Sequence, residues 1–311
     1  MSIIEAIIQG IVQGLTEFLP VSSSGHLTIT QHIMGVTDNN LFFNVMLHIG
    51  TLVAVCAFYY KLIWRLIKAF FLMIADIFRG RFKWKTMDED RRMLIMLVIG
   101  LLPLFLLFLP VPGTGMKLKD FVETFETEKY FIVVGISLLI TSLLLLLGNM
   151  CAQGYLASKR HKANPEGRMS MTVVDAIVVG VVQCFATLPG VSRSGSTLAA
   201  GQMRGVNKQK ALDYTFILAI PSIIAAALLE FKDVLDSPEG LSSVEILPVI
   251  IGMVVAAFVG YFSIVLFKWL LKTDKMYIFI IYTALVGAAV VTVSIIEMQT
   301  GVNLFTGAAI G

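Results

Sequence analysis

The sequence predicts an all-α integral membrane protein, with six transmembrane helices plus two re-entrant helical hairpins in an inverted-topology repeat. Three observations carry that prediction. The 311 residues are 57% hydrophobic and only 14% charged, with a mean hydropathy of +0.84, whereas an average soluble domain carries about 25% charged residues. So few charges cannot cover a water-facing surface, which excludes a soluble enzyme and a disordered chain. Next, six apolar runs approach the ~20 residues that a spanning helix needs. Finally, two further apolar segments are broken in their middles and repeat one another at an offset of 170 positions.

The six runs are 41–60, 93–111, 131–148, 214–229, 246–267 and 277–296. Between the first two, Lys61, Arg65, Lys68, Asp76 and Arg79 fall at helical spacings among apolar residues, which predicts an amphipathic helix over 61–79 lying in the headgroup zone. Loop charge orients the chain. Residues 61–92 hold nine Lys and Arg, 149–172 hold Lys159, Arg160, Lys162 and Arg168, and 268–276 hold Lys268, Lys272 and Lys275. Residues 112–130 and 230–245 lean acidic. The sign alternates in step with the six spans and puts the basic loops in the cytoplasm. A net charge of +3 is too small to suggest a nucleic-acid partner. Cys56, Cys151 and Cys184 stand singly in apolar stretches and form no disulfide framework. Residues 1–35 lack a basic start and carry Glu5, so they do not read as a signal peptide.

Residues 5–25 read EAIIQGIVQGLTEFLPVSSSG, and 175–195 read DAIVVGVVQCFATLPGVSRSG. They share Ala6/Ala176, Ile7/Ile177, Gly10/Gly180, Val12/Val182, Gln13/Gln183, Val21/Val191, Ser22/Ser192, Ser24/Ser194 and Gly25/Gly195. Each broken segment followed by three spans makes one unit. Unit one covers 1–148 with its hairpin at 1–35, and unit two covers 173–298 with its hairpin at 173–203; the cytoplasmic loop 149–172 joins them within a single polytopic domain. An odd number of spans inverts the second unit, so one hairpin dips in from outside and the other from the cytoplasm. Irregular backbone at that depth requires cover by protein or water.

Glu5, Gln9, Gln13 and Glu17 recur every fourth residue and form a polar stripe along one helix face. Glu5 and Gln9 are expected to face water at the hairpin mouth. Glu17, at the deep end before Pro20, is a buried carboxylate and a candidate site residue. Ser22, Ser23, Ser24, Gly25 and His26 follow the proline, and Ser192, Arg193, Ser194, Gly195, Ser196 and Thr197 repeat the pattern. Serine and glycine at helix N-termini favour anions, and Arg193 adds a bidentate phosphate fork. Small residues could merely permit close helix packing, but that does not explain Glu17, His26 and Arg193 together. His48 reads equally as a helix-to-helix hydrogen bond or as a site residue, and His32 and His161 are expected to be peripheral. A hydroxyl, an imidazole, a carboxylate and an arginine around an anion pocket suit phosphoryl transfer. No GxxxxGK[ST] or HExxH is present, so nucleotide-driven and zinc-protease chemistries have no support.

The runs QGLTEFLPVSSSGHL and PGVSRSGST strongly resemble the undecaprenyl-pyrophosphate phosphatases, the bacitracin-resistance family of bacterial inner membranes, and the resemblance covers the whole length. It implies hydrolysis of undecaprenyl pyrophosphate to the monophosphate at the periplasmic face of the cell inner membrane, supported by a divalent cation, Mg or Ca. The family's (E/Q)xxxE element falls on Gln13 and Glu17, its serine-rich segment on Ser22, Ser23 and Ser24, its histidine on His26, and PGxSRSG on Ser192, Arg193, Ser194 and Gly195. Many members carry glutamate where this chain has Gln13. That leaves one carboxylate, so a cation would arrive mostly on the substrate phosphates, with Glu17 the one protein ligand to consider.

The expected catalytic set is Glu17, Ser23, His26 and Arg193, with Gln13, Ser22, Ser24, Gly25, Ser192, Ser194, Gly195 and Ser196 binding substrate. The nucleophile is Ser23 with His26 as acid and base, or His26 itself. The partners are a polyprenyl diphosphate and membrane lipids, with a homodimer left open. A transporter or flippase of an anionic polyprenyl lipid is the alternative, since inverted repeats with broken helices also suit transport; a structural membrane subunit is a weaker third reading.

Overall fold

The computed structural model describes residues 2–35, 41–84, 87–126, 131–155, 166–236 and 245–309, and within them the protein is helical. The helices are α1 (Ile3–Phe18), α2 (Ser23–Met34), α3 (Leu41–Phe58), α4 (Tyr60–Phe78), α5 (Glu89–Leu101) continued by a 3-10 segment (Leu102–Phe108), α6 (Leu118–Glu123), α7 (Phe131–Ala152), α8 (Val173–Phe185), α9 (Arg193–Met203), α10 (Lys208–Asp236), α11 (Ile246–Lys272) and α12 (Tyr277–Thr300). Among the described residues five helices are long and apolar enough to cross a membrane: Glu89–Phe108, Phe131–Ala152, Lys208–Leu229, Ile246–Lys272 and Tyr277–Thr300. The bent pair α3 and α4 together passes the same test, and counting it as one span brings the number to six. Large apolar side chains such as Phe105, Phe258 and Leu285 face outward from these helices, as lipid-facing surfaces do.

The chain turns by 82° between α3 and α4, at the point where the uncharged run gives way to the amphipathic one. Tyr59 sits in the bend, and its hydroxyl and Lys268 Nζ both donate to Asp213 Oδ1, at 2.8 and 2.9 Å. The ammonium of Lys268 also lies 4.9 Å from the centre of the Tyr59 ring, which adds a cation–π attraction. Three helices are thereby tied together at the elbow. The run 93–111 ends as a 3-10 segment because Pro103 lies at its start and cannot donate into an α-helical ladder.

Each broken segment packs across the repeat boundary. α1 lies along α11, and α8 lies along α5 and its 3-10 extension. Small residues let the backbones meet. A Cβ on Gly14 would stand 2.8 Å from Ala256 O and 2.9 Å from Gly260 N, so only glycine fits that seam. α7 and α12 form a similar seam, where a Cβ on Gly287 would come 2.9 Å from Gly135 O. At the other end of the molecule, buried Asp175 is held by Arg168 at 2.8 Å and Arg204 at 2.9 Å, which anchors the start of α8.

Valine at Gly14 must push against backbone atoms that cannot give way. Gly14→Val is expected to cost about 1–3 kcal/mol, read as a lower thermal midpoint of the purified protein in detergent; an unchanged midpoint would contradict the seam.

Candidate active site

Two interrupted helices meet at the site, and local chemistry explains both interruptions. α1 starts on a capping box in which Ser2 and Glu5 satisfy each other's backbone N–H groups. It stops at Phe18 because Leu19 precedes Pro20 and takes an extended conformation, ψ 144°. α8 starts on the matching box of Thr172 and Asp175, and its chain turns at Gly190, φ 89°. α2 and α9 then restart on Ser22 and Ser192, whose hydroxyls accept from Gly25 N at 3.2 Å and Gly195 N at 3.1 Å. The two caps differ in one respect: Ser192 is extended, φ −71°, but Ser22 holds φ 76°, a conformation that favours glycine.

The two turns interlock. Gly190 N donates to Ser24 Oγ at 3.4 Å, and Ser194 Oγ donates to Leu19 O at 3.3 Å. A Cβ on Gly25 would lie 3.0 Å from Gly190 Cα, and one on Gly195 3.0 Å from Pro20 Cβ. Ser22 and Ser192 cap the two helix starts, as the serine and glycine pattern predicts, while Ser24 and Ser194 join the hairpins and Gly25 and Gly195 provide close approach.

Glu17 is the centre of the arrangement. Ser23 Oγ donates to its Oε2 at 2.7 Å, and Gln13 Nε2 donates to the same oxygen at 2.9 Å. Arg193, from the opposite hairpin, donates to Oε1 at 3.2 Å, and His48 Nε2 lies 3.6 Å from Oε2. Four members of this grouping, Gln13, Glu17, Ser23 and Arg193, are candidate site residues by sequence, and His48, which the sequence leaves between a helix-to-helix hydrogen bond and a site residue, joins them.

His26 does not complete a pair with Ser23, as the serine–histidine reading required. Its Nδ1 meets the Ser22 carbonyl at 2.8 Å and its Nε2 meets the Tyr282 hydroxyl at 2.8 Å. A carbonyl only accepts, so Nδ1 carries the proton, and the neutral ring accepts from Tyr282 at Nε2. The group against the Ser23 hydroxyl is therefore the Glu17 carboxylate. Tyr282 had no local signal in the sequence, because it lies 256 residues from His26 inside an apolar run.

Three further expectations change. Gln9 is 1% exposed and accepts from Gln31 Nε2 at 3.0 Å, so it joins α1 to α2 instead of facing water. His32 is buried, not peripheral: its Nε2 lies 2.9 Å from Glu297 Oε1 and its ring stacks on Phe131 at 4.1 Å, fastening α2 to α12. His161 lies outside the described residues. Gln13 Oε1, Ser196 Oγ and Thr215 Oγ1 are buried without a hydrogen-bond partner among the described residues. A protein-held cation does not fit this donor set. No group of three or more His, Cys, Asp or Glu comes together among the described residues, and both Glu17 oxygens already accept from Ser23, Gln13 and Arg193.

The family model of the bacitracin resistance protein BacA matches residues 6–289. The chain belongs to this family. It is 36% identical to an undecaprenyl-diphosphatase of Alkaliphilus metalliredigens over 297 residues, 95% of this chain and 100% of that protein. It is 35% identical to an undecaprenyl-diphosphatase of Methanosphaera stadtmanae over 299 residues, 95% and 99% of the two chains. A Bacteroides thetaiotaomicron protein of the same name is 34% identical over 295 residues, 94% and 98%. The BacA match contains both hairpins and Tyr282, so every residue of the Glu17 and His26 groupings lies in the part of the chain that defines the family.

The left-handed backbone at Ser22 separates two substitutions. Ser22→Ala keeps the disfavoured φ and loses the cap, whereas Ser22→Gly relieves the backbone. Alanine is expected to be less stable than glycine by roughly 1 kcal/mol or more, measured as thermal midpoints; the reverse order would contradict the backbone geometry at Ser22.

Proposed function

We propose that the protein hydrolyses undecaprenyl pyrophosphate to undecaprenyl phosphate and inorganic phosphate. Membership of the BacA family and full-length similarity to undecaprenyl-diphosphatases support the reaction. The observation that carries the mechanism is the Ser23 hydroxyl 2.7 Å from a carboxylate that is itself paired with Arg193.

Ser23 Oγ attacks the terminal phosphorus as its proton passes to Glu17 Oε2. The Ser23–phosphorus bond forms, the bridging phosphorus–oxygen bond breaks, and the lipid monophosphate leaves. Glu17 passes the serine proton to the departing monophosphate and is a carboxylate again. Water then attacks the phosphoserine as Glu17 takes its proton, the Ser23–phosphorus bond breaks, and that proton returns to Ser23 Oγ as inorganic phosphate is released. Gln13 holds the carboxylate in register. The Arg193 side chain is 28% exposed against 4% for Glu17, so the arginine can reach toward an entering phosphate while the carboxylate stays fixed. A divalent cation, Mg or Ca, would be held by the diphosphate oxygens and would offset their charge. Tyr282 and the Ser22 carbonyl set the tautomer of His26, which borders the site.

The finer membrane arrangement belongs to the same proposal. Six crossings, with α1–α2 and α8–α9 as re-entrant hairpins in inverted units, accord with the apolar helix lengths, the bend at Tyr59 and the packing of each hairpin on the other unit. Membership of the family supports a bacterial inner-membrane location, and the alternation of loop charge supports a site open to the periplasm. Lipid carrier recycled there serves envelope polymer synthesis, and its release from the pyrophosphate form underlies bacitracin resistance in the family.

The test is phosphate release from undecaprenyl pyrophosphate by the purified protein in detergent, with and without Mg. Ser23→Ala and Glu17→Gln are each expected to lower kcat by about 10²–10⁴-fold, and Arg193→Lys to raise KM and lower kcat because the planar fork is lost. Labelled phosphate trapped on serine supports the covalent step, and label on imidazole overturns it. Folded wild type without turnover under any cation shifts the reading to a carrier of anionic polyprenyl lipid.

A further inference from the structure

Behind the Glu17–Arg193 pair lies a small cavity lined by Glu17, Phe18, Arg193, Ser194, Thr215, Phe216 and Ala219. Its volume is about 10 Å³, about the minimum for one water molecule. Water occupies such a space only when two or more polar groups border it, and here Glu17, Arg193, Ser194 and Thr215 do.

Thr215 is the informative member. It is 3% exposed, and its Oγ1 has no hydrogen-bond partner among the described residues. Inside a helix, a threonine or serine hydroxyl usually donates back to the carbonyl four residues earlier. Thr28, Thr30, Thr197, Ser222, Ser263, Thr283 and Ser294 all do so in this protein. Thr215, two turns into α10, does not take the bond that Ser222, two turns further along the same helix, takes. A buried hydroxyl left unpaired is costly, so its place against this cavity points to a ligand for it.

We propose that Thr215 and Arg193 hold one water molecule against the Oε1 side of Glu17, making Thr215 a positioning residue for the pair. Glu17 presents Oε2 to Ser23 and Gln13 and Oε1 to Arg193. A water on the Oε1 side gives the ionised carboxylate a further donor at a face otherwise bordered by Phe18, Phe216 and Ala219. The same water lets Arg193 keep its orientation when a phosphate draws it from the carboxylate. Thr215 acts through this water on the group that takes the serine proton, and it matters in this way only if the phosphatase reading holds.

The experiment compares Thr215→Val, Thr215→Ser and Thr215→Ala with wild type and Glu17→Gln for phosphate release from undecaprenyl pyrophosphate, alongside thermal midpoints. Valine keeps the shape and removes the hydroxyl; it is expected to lower kcat about tenfold, equivalent to ~1.4 kcal/mol, with KM changed less than twofold. Serine is expected to restore kcat to within about twofold. Valine and wild type with equal kcat would overturn the inference, and so would serine as slow as valine, since the methyl and not the hydroxyl would then matter. If valine fails to fold, alanine against serine carries the same comparison. Inactive wild type would remove the phosphatase reading and this inference with it; active wild type beside equally active valine removes the inference alone.

Discussion

A single charge pair connects the two halves of the molecule. Glu17 stands on the first broken segment, Arg193 on the second, and their side chains meet at 3.2 Å. Neither charge is tolerable alone at that depth in an apolar protein, because an isolated ion loses its water without compensation. Each hairpin therefore satisfies the other. Gln13 and Ser23 complete the carboxylate's hydrogen bonds, and the serine turns on both sides hold the two helix starts close enough for the pair to form. Disrupting the interlock would strand a buried charge as well as separate two segments.

The two hairpins share a scaffold and differ in chemistry. At the offset of 170, Ser22 corresponds to Ser192 and Ser24 to Ser194, and these pairs perform the same tasks: two caps and two cross-links, with nearly matching distances. The functional positions do not correspond. Ser23 is matched by Arg193, Glu17 by Thr187 and His26 by Ser196. Thr187 donates to Cys184 O within its own turn and contributes no charge. The duplicated backbone thus supplies the meeting of two helix ends, while one copy carries Ser23 and the Glu17 carboxylate and the other supplies the arginine. The strained cap belongs to the copy with the carboxylate: Ser22 has φ 76° where Ser192 has φ −71°. Backbone strain of this kind persists where surrounding contacts enforce it, and it often sits at functional positions.

Much of this was legible in the sequence because a membrane imposes simple rules. Span lengths follow from bilayer thickness, the turn at 59 from the start of amphipathic spacing, and the hairpins from proline and serine inside apolar runs. Glu17 and Arg193 stood out because charge in apolar surroundings needs a reason. Pairwise contacts were less accessible. Helical spacing placed His26 one turn from Ser23, but the ring rotates away to the Ser22 carbonyl and Tyr282. Gln9 looked like the exposed end of a stripe because its partner, Gln31, comes from the returning helix. His32 looked peripheral because Glu297 lies 265 residues away. Periodicity reports which face a residue occupies, and these errors all arose from what a distant helix brought to that face.

Gln13 shows how the charge balance of the site follows from one position. An amide there donates to Glu17 at 2.9 Å, which a second ionised carboxylate could not do. With glutamine, the pairing of Glu17 and Arg193 is close to neutral, so a polyanionic headgroup meets helix N-termini and an arginine without two facing negative charges. A glutamate at position 13 would set like charges side by side, and relieving them would require a proton or a cation. The glutamine therefore lets hydrogen-bond donors and one arginine satisfy the carboxylate, with no second negative charge beside it.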